Sequence, residues 1–310
     1  MRLVFMGTPT SAVPTLARCL ADGHEIVAVW TQPDRPAGRG HKLHASPVKE
    51  FALAHKLTVH QPAKIKTEEA RALFAAHDAD AAVVVAYGRI LPVSFLRAPR
   101  RGCINVHFSL LPKYRGAAPV NWAIVRGEAE TGVTTMLIDE GLDTGALLLQ
   151  RATLIGDEET APELLARLAG LGADLLGETL VRRDEIEARP QHDEEATLAP
   201  ILRREDGLID WHELRAVEIA RRVRGLQPWP NAYTIFRNQR LVIWQARHLL
   251  TNVGTAQAGE IMLAHGDQLV VVCAGGTALQ LLEVQPEGRR RVSARDFLNG
   301  AHVQIGEVLG

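Results

Sequence analysis

The sequence lacks the features that mark secreted and membrane proteins. Its 310 residues include only three cysteines, Cys19, Cys103 and Cys273, too few and too scattered for a disulfide framework or a zinc site. No apolar run approaches the roughly 20 residues that span a bilayer, and the first residues do not follow the pattern of a signal peptide. We therefore expect a cytoplasmic protein without a membrane partner, in which the cysteines are buried structural thiols.

The sequence also lacks an excess of either charge. The 35 basic and 36 acidic side chains give a formal net charge of -1, so overall charge cannot attract a polyanion. Any nucleic-acid site must come from a local cluster of basic residues. The histidines show no metal-ligand spacing, and we expect no metal.

The glycine fingerprint of dinucleotide-binding folds is missing as well. Gly7-Thr8-Pro9 follows the first predicted strand and suits a strand-to-helix turn, but it lacks the G-x-G-x-x-G spacing. A nicotinamide oxidoreductase is therefore disfavoured, although it stays among the alternatives.

The first half of the chain does contain short apolar runs that alternate with helical patterns. The predicted strands are Leu3–Met6, Ile26–Trp30, Ala81–Ala86 and Cys103–Val106, and the predicted helices lie near Val13–Leu20, Val48–Ala54 and Glu68–Ala75. This alternation is typical of parallel strands joined by crossover helices. We predict an α/β domain with a doubly wound, largely parallel, Rossmann-like sheet.

The second half changes pattern after one long helix. That helix is predicted to begin at Thr160, with Glu163 placed to return a hydrogen bond, and it carries leucines at helical spacing. Later segments predict a helix at Ala216–Val223 and strands at Tyr233–Phe236, Leu241–Ala246, Leu269–Val272 and Leu279–Val284. We predict a first domain over residues 1–189, an exposed linker over 190–205, and a smaller β-barrel domain over 206–310.

Two polar residues on one predicted strand are candidates for chemistry. Asn105 and His107 are two positions apart, so both side chains leave the same face of the sheet. They stand at the carboxyl end of the strand, which is where ligands bind in open α/β sheets. Asp143 follows in a loop whose freedom comes from Gly141 and Gly145.

The three side chains suit attack of an amine on a formyl carbon. Such an attack makes a tetrahedral intermediate whose oxygen becomes negative and whose nitrogen must lose a proton. Asn105 and protonated His107 can donate hydrogen bonds to that oxygen. Asp143 can favour the charged imidazole and receive the amine proton, directly or through water.

These residues, read together with their neighbours, resemble the folate-dependent formyltransferases. The resemblance is carried by Asn105-x-His107-x-Ser109-Leu-Leu-Pro112 and by the later Gly-Leu-Asp143-Thr-Gly. It implies that Asn105, His107 and Asp143 are catalytic and that 10-formyltetrahydrofolate is the formyl donor. It also implies that the tetrahydrofolate derivative is held by Ser109, Leu110, Leu111 and Pro112, and by Arg89, Ile90, Leu91 and the loop 137–142. Phe108 is larger than expected between His107 and Ser109, and strand alternation should turn it away from the histidine.

The acceptor must be inferred from other segments. The long connection Gln32–Leu43 and the C-terminal segments Leu226–Asn231 and Gly288–Gly300 resemble the family members that formylate methionyl-initiator tRNA. In those enzymes the C-terminal domain is an OB-type barrel that contacts tRNA. The resemblance implies a nucleic-acid surface that includes Arg35, Arg39, Lys42, Arg289, Arg290 and Arg291. Arg221, Arg222, Arg224 and Arg295 can extend this positive face.

Two other functions remain open at this stage. One is formyl transfer to an amino sugar nucleotide, which needs the same three residues. The other is tRNA binding by an inactive α/β scaffold. We expect a monomer.

Overall fold

A computed structural model describes residues 1–37, 42–251, 253–254 and 256–310. These residues form two compact units. The first comprises residues 1–119, 130–154 and 165–199, and the second comprises residues 120–129, 155–164 and 200–310. Within the described residues, no helix is both long enough and apolar enough to cross a membrane.

The elements of roughly the first two hundred residues alternate as predicted. The strands are β1 Arg2–Gly7, β2 Glu25–Trp30, β3 Arg35–Ala37, β4 Lys42–His44, β5 Val59–His60, β6 Ala81–Val85, β7 Cys103–His107, β8 Arg115–Gly116, β9 Glu130–Leu137, β10 Leu147–Leu154 and β11 Leu198–Ala199. The helices are α1 Val13–Ala21, α2 Pro47–Ala54, α3 Glu68–Ala75, α4 Val93–Arg97, α5 Pro119–Arg126 and α6 Ala161–Val181.

The main sheet of the first unit is largely parallel. Its described strands follow the order β10-β9-β7-β6-β1-β2-β5. Strands β5, β2, β1, β6 and β7 pair in parallel, whereas β9 is antiparallel to β7 and β10 is antiparallel to β9. The prediction of a doubly wound α/β domain is therefore confirmed. The antiparallel pair β9 and β10 is absent from the sequence-based prediction.

Helices cover the sheet because apolar side chains emerge from both of its faces. On one face, Phe74 of α3 and Phe95 of α4 are buried with Trp30 of β2 and stack at 4.0 Å between ring centroids. The other face includes Val106 of β7, and a Cβ atom placed on Gly172 of α6 would lie 2.7 Å from its Cγ1 atom. The sheet is thus the middle layer of three.

Polar residues cap helices α6 and α2, the first of them as the sequence predicts. The Thr160 backbone N–H donates to Glu163 Oε2 at 2.9 Å, immediately before α6 begins. At α2 the Ser46 hydroxyl oxygen accepts from the Lys49 backbone N–H at 3.1 Å. Both contacts satisfy backbone or side-chain groups that a helix start leaves unpaired.

The described residues of the second unit combine antiparallel strands with helices, among them most of α5. Its further elements are α7 Ala216–Gly225, β12 Tyr233–Phe236, β13 Gln239–Leu249, β14 Ile261–His265, β15 Gln268–Cys273, β16 Thr277–Pro286, β17 Val292–Ser293 and α8 Ala294–Ala301. The described strands follow the order β12-β13-β16-β15-β14, with β17 paired to β16. Side chains from these strands and from α7 and α8 share one hydrophobic core.

The last residues connect the two edges of this antiparallel sheet. The Leu309 N–H donates to Gly259 O beside β14, and the Gly310 N–H donates to Ile235 O of β12, both at 2.9 Å. The sheet is thereby closed through residues 309–310, as a small barrel requires. The predicted domain boundaries at residues 189 and 206 stay predictions.

Two segments expected to be irregular contain short strands. In the connection after β2, β3 pairs antiparallel with β4, with Arg35 opposite His44. In the expected linker, β11 pairs in parallel with β8, with Leu198 opposite Arg115. Both segments are rich in proline and charged residues, and strands of two or three residues are too short to show an alternating pattern.

Candidate active site

The carboxyl end of β7 presents Asn105 and His107 on one face of the sheet. Their intervening and following neighbours, Val106 and Phe108, face the opposite side, where a Cβ atom placed on Gly172 of α6 would lie 3.5 Å from Cε1 of Phe108. The Phe108 ring is therefore turned away from His107, as strand alternation predicts. Its size does not restrict the face that carries the polar pair.

His107 is buried and has a defined orientation. Its Nε2 atom lies 3.0 Å from the carbonyl oxygen of Tyr114, and because a carbonyl oxygen only accepts, Nε2 carries the proton of this bond. The other ring nitrogen, Nδ1, lies 3.7 Å from Asp143 Oδ2. The structure therefore leaves Nδ1 as the ring nitrogen that faces the carboxylate.

Asp143 is held in an unusual backbone conformation. Its φ angle is 55°, which lies in the left-handed region that aspartate tolerates better than most residues. Its Oδ2 atom accepts a hydrogen bond from the Gly116 backbone N–H at 2.9 Å. Close packing explains the glycine at position 145, because a Cβ atom there would lie only 1.8 Å from the carbonyl oxygen of Leu137.

Asn105 lies two residues before His107 and remains partly exposed. It stands between Val84 of β6 and Met136 of β9 in the strand register. Within the described part of the chain its side-chain amide makes no hydrogen bond. The amide is therefore available to a ligand at the same edge where His107 and Asp143 meet.

The turn after β7, expected to hold a folate, is braced from within the sheet. The Ser109 hydroxyl donates to Lys113 O at 2.6 Å, and the Thr134 hydroxyl donates to Ser109 O at 2.7 Å. The Leu111 N–H donates to the same Thr134 hydroxyl at 3.1 Å, and the Leu111–Pro112 peptide is cis. These hydrogen bonds fix the conformation of the turn. Leu110 is partly buried, and most residues of the turn are apolar.

The second segment expected to hold the folate, residues 89–91, contains both exposed and buried side chains. Arg89 Nη1 donates to the carbonyl oxygens of Pro62 and Ala63 at 3.2 and 2.9 Å. Ile90 is exposed, whereas Leu91 is buried in a cluster against which Ile138 packs. The side chain of Leu91 is therefore a core residue, and only its backbone can reach a ligand.

Two contributions to this site were not predicted from the sequence. The carbonyl of Tyr114, a residue with a φ angle of 63°, orients His107. The Gln191 amide donates to the carbonyl oxygens of Asp143 and Gly145, both at 2.8 Å. The glycine in Tyr114-Arg115-Gly116 indicates a turn near His107, which is a sequence signal for the contact with the Tyr114 carbonyl. Nothing in the sequence around Gln191 indicates its contact with Asp143 and Gly145.

The cysteine beside this site is not a reactive thiol. Cys103 lies two residues before Asn105, but burial raises the pKa of its thiol to about 12, so it is protonated at neutral pH. All three cysteines are free and buried, as predicted. Among the residues that the structure covers, no three of His, Cys, Asp and Glu converge as metal ligands do.

The basic residues expected near tRNA in the first unit are only partly described. Arg35 is exposed and donates from Nη2 to Gln32 Oε1 at 2.6 Å. The base of the connection is fixed by Asp34, whose pKa is lowered by hydrogen bonds from Gln61 and from Lys49. Lys42 begins β4, and its side chain lies outside the described part of the structure, as does the whole of Arg39.

Two of the arginines expected to contact tRNA in the second unit line an open cavity of about 780 Å³. Arg289 and Arg290 line it together with Arg237 and Arg240, two residues that the sequence did not single out. Arg291 pairs with Glu283 and lies 5.1 Å over the ring of Trp244.

The other arginines of the second unit differ in how free they are. Arg295 lies 4.0 Å from Asp267, within reach of an ion pair. Arg222 donates to Asp206 O at 2.9 Å and Arg224 donates to Glu159 O at 2.8 Å, so both guanidinium groups bind backbone carbonyls. Burial also lowers the pKa of Arg224. Arg222 and Arg224 thus support the local fold more than they extend a positive surface.

Comparison with known proteins finds matches over most of the chain. The family described as "Formyl transferase" matches residues 1–180, and "Formyl transferase, C-terminal domain" matches residues 201–302. The chain therefore belongs to the formyl transferase family. It is 52% identical to "Methionyl-tRNA formyltransferase" of Solibacter usitatus over 312 aligned residues, which cover 100% of this chain and 99% of that protein. It is 53% identical to the protein of the same name from Koribacter versatilis over 313 residues, with coverages of 100% and 99%.

Solved structures share the fold at much lower identity. A sugar 3N-formyl transferase, WlaRD, crystallised with dTDP and 5-N-formyl-THF, superposes with a TM-score of 0.68 at 17% identity, covering 94% of this chain and 99% of that one. HypX from Aquifex aeolicus in complex with tetrahydrofolic acid superposes with a TM-score of 0.63 at 15% identity, covering 99% of this chain and 48% of that one.

Proposed function

We propose that this chain transfers the formyl group of 10-formyltetrahydrofolate to the α-amino group of methionine on initiator tRNA. The observation that carries the proposal is the convergence of Asn105, His107 and Asp143 at one sheet edge, within a chain that is similar over its full length to methionyl-tRNA formyltransferases. The cytoplasmic location and the monomeric state expected from the sequence remain predictions.

Asn105 stabilises the negative oxygen that forms when the amine attacks the formyl carbon. Its amide N–H groups make no hydrogen bond within the described residues, so they can donate to this oxygen without breaking an existing bond. A donor fixed in place before the reaction stabilises developing charge without reorganisation, and removing one such donor costs roughly 100- to 1000-fold in turnover.

His107 supplies the second donor through Nδ1. Because Nε2 is bound to the Tyr114 carbonyl at 3.0 Å, the ring cannot use that nitrogen for the substrate without losing its orientation. When Nδ1 is protonated it can donate to the oxygen of the intermediate. When Nδ1 is unprotonated it can accept the proton that the attacking amine releases. The intermediate then collapses as the bond between the formyl carbon and the folate nitrogen breaks, and that nitrogen takes up a proton.

Asp143 stabilises the imidazolium and completes the proton path. Its Oδ2 atom lies 3.7 Å from His107 Nδ1 and is fixed by the Gly116 amide. Its other oxygen, Oδ1, has no partner within the described residues and can take the amine proton directly or through water.

The folate derivative is expected beside this group, along the braced turn Ser109–Pro112 and the backbone of residues 89–91 and 137–142. This placement leaves the polar edge of β7 facing the formyl group. Holding two large ligands with their reacting atoms close supplies much of the rate, since it converts an encounter into an internal step.

The acceptor is expected to be tRNA because two basic clusters accompany the site in the sequence. One includes Arg35, Arg39 and Lys42 after β2, and the other includes Arg289 and Arg290 in the second unit. Contacts to phosphates make binding depend steeply on salt concentration, with each contact adding about 0.7 to 0.9 to the slope of log K against log salt.

The main alternative is formyl transfer to an amino sugar nucleotide, which uses the same three residues. The likeness to sugar formyltransferase structures is a likeness of fold alone. Membership of the formyl transferase family argues against an inactive tRNA-binding scaffold and against a nicotinamide oxidoreductase.

One experiment separates the two acceptors. The purified protein is incubated with 10-formyltetrahydrofolate and either methionyl-initiator tRNA or an amino sugar nucleotide, and the mass of each acceptor is measured. We expect the mass of one formyl group to be added only to the aminoacyl-tRNA. Formylation of the sugar nucleotide without formylation of the tRNA would overturn the proposal.

A further inference from the structure

A segment beyond the family's first matched region holds the loop that carries Asp143. This segment, residues 189–199, begins where Arg189 exchanges two backbone hydrogen bonds with Leu147 at 2.7 and 2.9 Å. Two residues later, Gln191 Nε2 donates to the carbonyl oxygens of Asp143 and Gly145, both at 2.8 Å. The amide of one side chain therefore binds the backbone carbonyl groups of both neighbours of Thr144.

Arg115 fixes the orientation of the Gln191 amide. Its Nε and Nη2 atoms donate to Gln191 Oε1 at 3.0 and 2.8 Å, and Nη2 also donates to Asp193 Oδ1 at 2.8 Å. Because the guanidinium only donates, the oxygen of the Gln191 amide must face Arg115 and its nitrogen must face the Asp143 loop. Arg115 is itself buried, which prevents water from competing for these bonds.

The other end of the 189–199 segment is hydrogen-bonded to residues 114–116, which contact His107 and Asp143. Thr197 Oγ1 accepts from the Tyr114 N–H, and Thr197 O accepts from the Arg115 N–H, both at 2.9 Å. Ala199 of β11 then pairs with Gly116 of β8. The backbone bonded in this way supplies the Tyr114 carbonyl to His107 and the Gly116 amide to Asp143.

We propose that Gln191 is a positioning residue for Asp143 and that Arg115 acts through it. The inference rests on the proposed function, because the carboxylate that Gln191 positions is expected to act in formyl transfer. Asp143 has a φ angle of 55°, a conformation that costs free energy even for aspartate and that surrounding contacts stabilise. Gln191 supplies two such contacts, and a displacement of about 1 Å at a reacting group can cost roughly 100-fold in rate.

The test is a double-mutant cycle between Gln191→Ala and Asp143→Asn in the full-length protein. Single-turnover rates and KM values are measured with 10-formyltetrahydrofolate and methionyl-initiator tRNA. We expect Gln191→Ala to lower the rate about 10- to 100-fold while both KM values change less than about threefold. In the Asp143→Asn background, Gln191→Ala should lower the rate less than about threefold, because the group that it positions is already gone.

Matched variants distinguish positioning from general destabilisation. Glu194→Ala removes an exposed side chain from the same segment and should leave the rate unchanged. Gln191→Met keeps the length of the side chain but removes both donors, so it should reproduce the loss even if the alanine variant folds poorly.

Three results would contradict the inference. Near-normal turnover in both Gln191 variants would show that the amide does not position the carboxylate. Equal losses from Gln191→Ala with and without Asp143 would indicate a general structural effect. Near-normal turnover of Asp143→Asn would instead refute the proposed role of the carboxylate, and the inference would fall with it.

Discussion

Replacing Asp143 by asparagine isolates the charge of this side chain from its shape. Asparagine tolerates the left-handed backbone conformation at this position, where φ is 55°. Its Oδ1 atom can accept the hydrogen bond that the Gly116 N–H now donates at 2.9 Å. The loop should therefore keep its structure while the imidazole of His107 loses its counter-charge and the amine loses a proton acceptor.

The expected loss follows from the separation and the burial of the two groups. Unit charges about 4 Å apart interact with roughly 4 kcal/mol at an effective dielectric constant of about 20. His107 Nδ1 and Asp143 Oδ2 lie 3.7 Å apart, and their side chains are 7% and 17% exposed. Partial exposure reduces the interaction, so we expect a cost of about 2 to 4 kcal/mol, or a rate loss of roughly 30- to 1000-fold.

The assay is single-turnover formylation of methionyl-initiator tRNA with saturating 10-formyltetrahydrofolate. Asp184→Asn is the matched control, because Asp184 is an exposed carboxylate that pairs with Arg101 at 2.7 Å and lies outside the segments expected to hold the folate or the tRNA. The control should stay within about threefold of the unaltered protein. A rate for Asp143→Asn in that same range would refute the electrostatic reasoning.

Further predictions concern stability and tRNA binding. Gly145→Ala would place a Cβ atom 1.8 Å from Leu137 O, and calorimetry should show a Tm lowered by several degrees. Trp30 Nε1 donates to His77 Nε2, and burial lowers the pKa of His77 below its ordinary 6.5. The unfolded chain therefore binds more protons, so the free energy of unfolding should decrease as pH falls below about 6.5, and His77→Gln should reduce that dependence in urea titrations. Arg290→Glu should weaken tRNA binding and reduce its salt slope by about 1, whereas an unchanged slope would exclude a phosphate contact.

The sequence predicts those parts of the molecule that short-range periodicity determines. Strand alternation places Asn105 and His107 on one face and Phe108 on the other. Capping residues identify the start of α6 at Thr160, and apolar runs identify β1, β2, β6 and β7 to within a few residues, whereas the short parallel strand β5 is not predicted. The glycines around Asp143 indicate a loop that can bring a side chain into a pocket.

Contacts between distant segments without a period are not predicted. Gln191 lies among Pro190, His192 and several acidic residues, a composition typical of an exposed linker, yet its amide binds the Asp143 loop. The choice of Tyr114 O as the partner of His107 depends on a backbone turn with a positive φ angle. Strands β9 and β10 pair with each other across the Asp143 loop. Their polar and apolar residues are mixed, and only the register in the folded structure shows which of them share a face of the sheet.

The role of His107 is tested most directly by the single-turnover rate of His107→Ala, measured beside its affinity for methionyl-initiator tRNA. We expect the rate to fall by roughly 100-fold or more while the affinity stays nearly unchanged, because the ring acts on the intermediate and not on the bound tRNA. A rate close to that of the unaltered protein would remove His107, and with it the carboxylate that faces it, from the chemistry of formyl transfer.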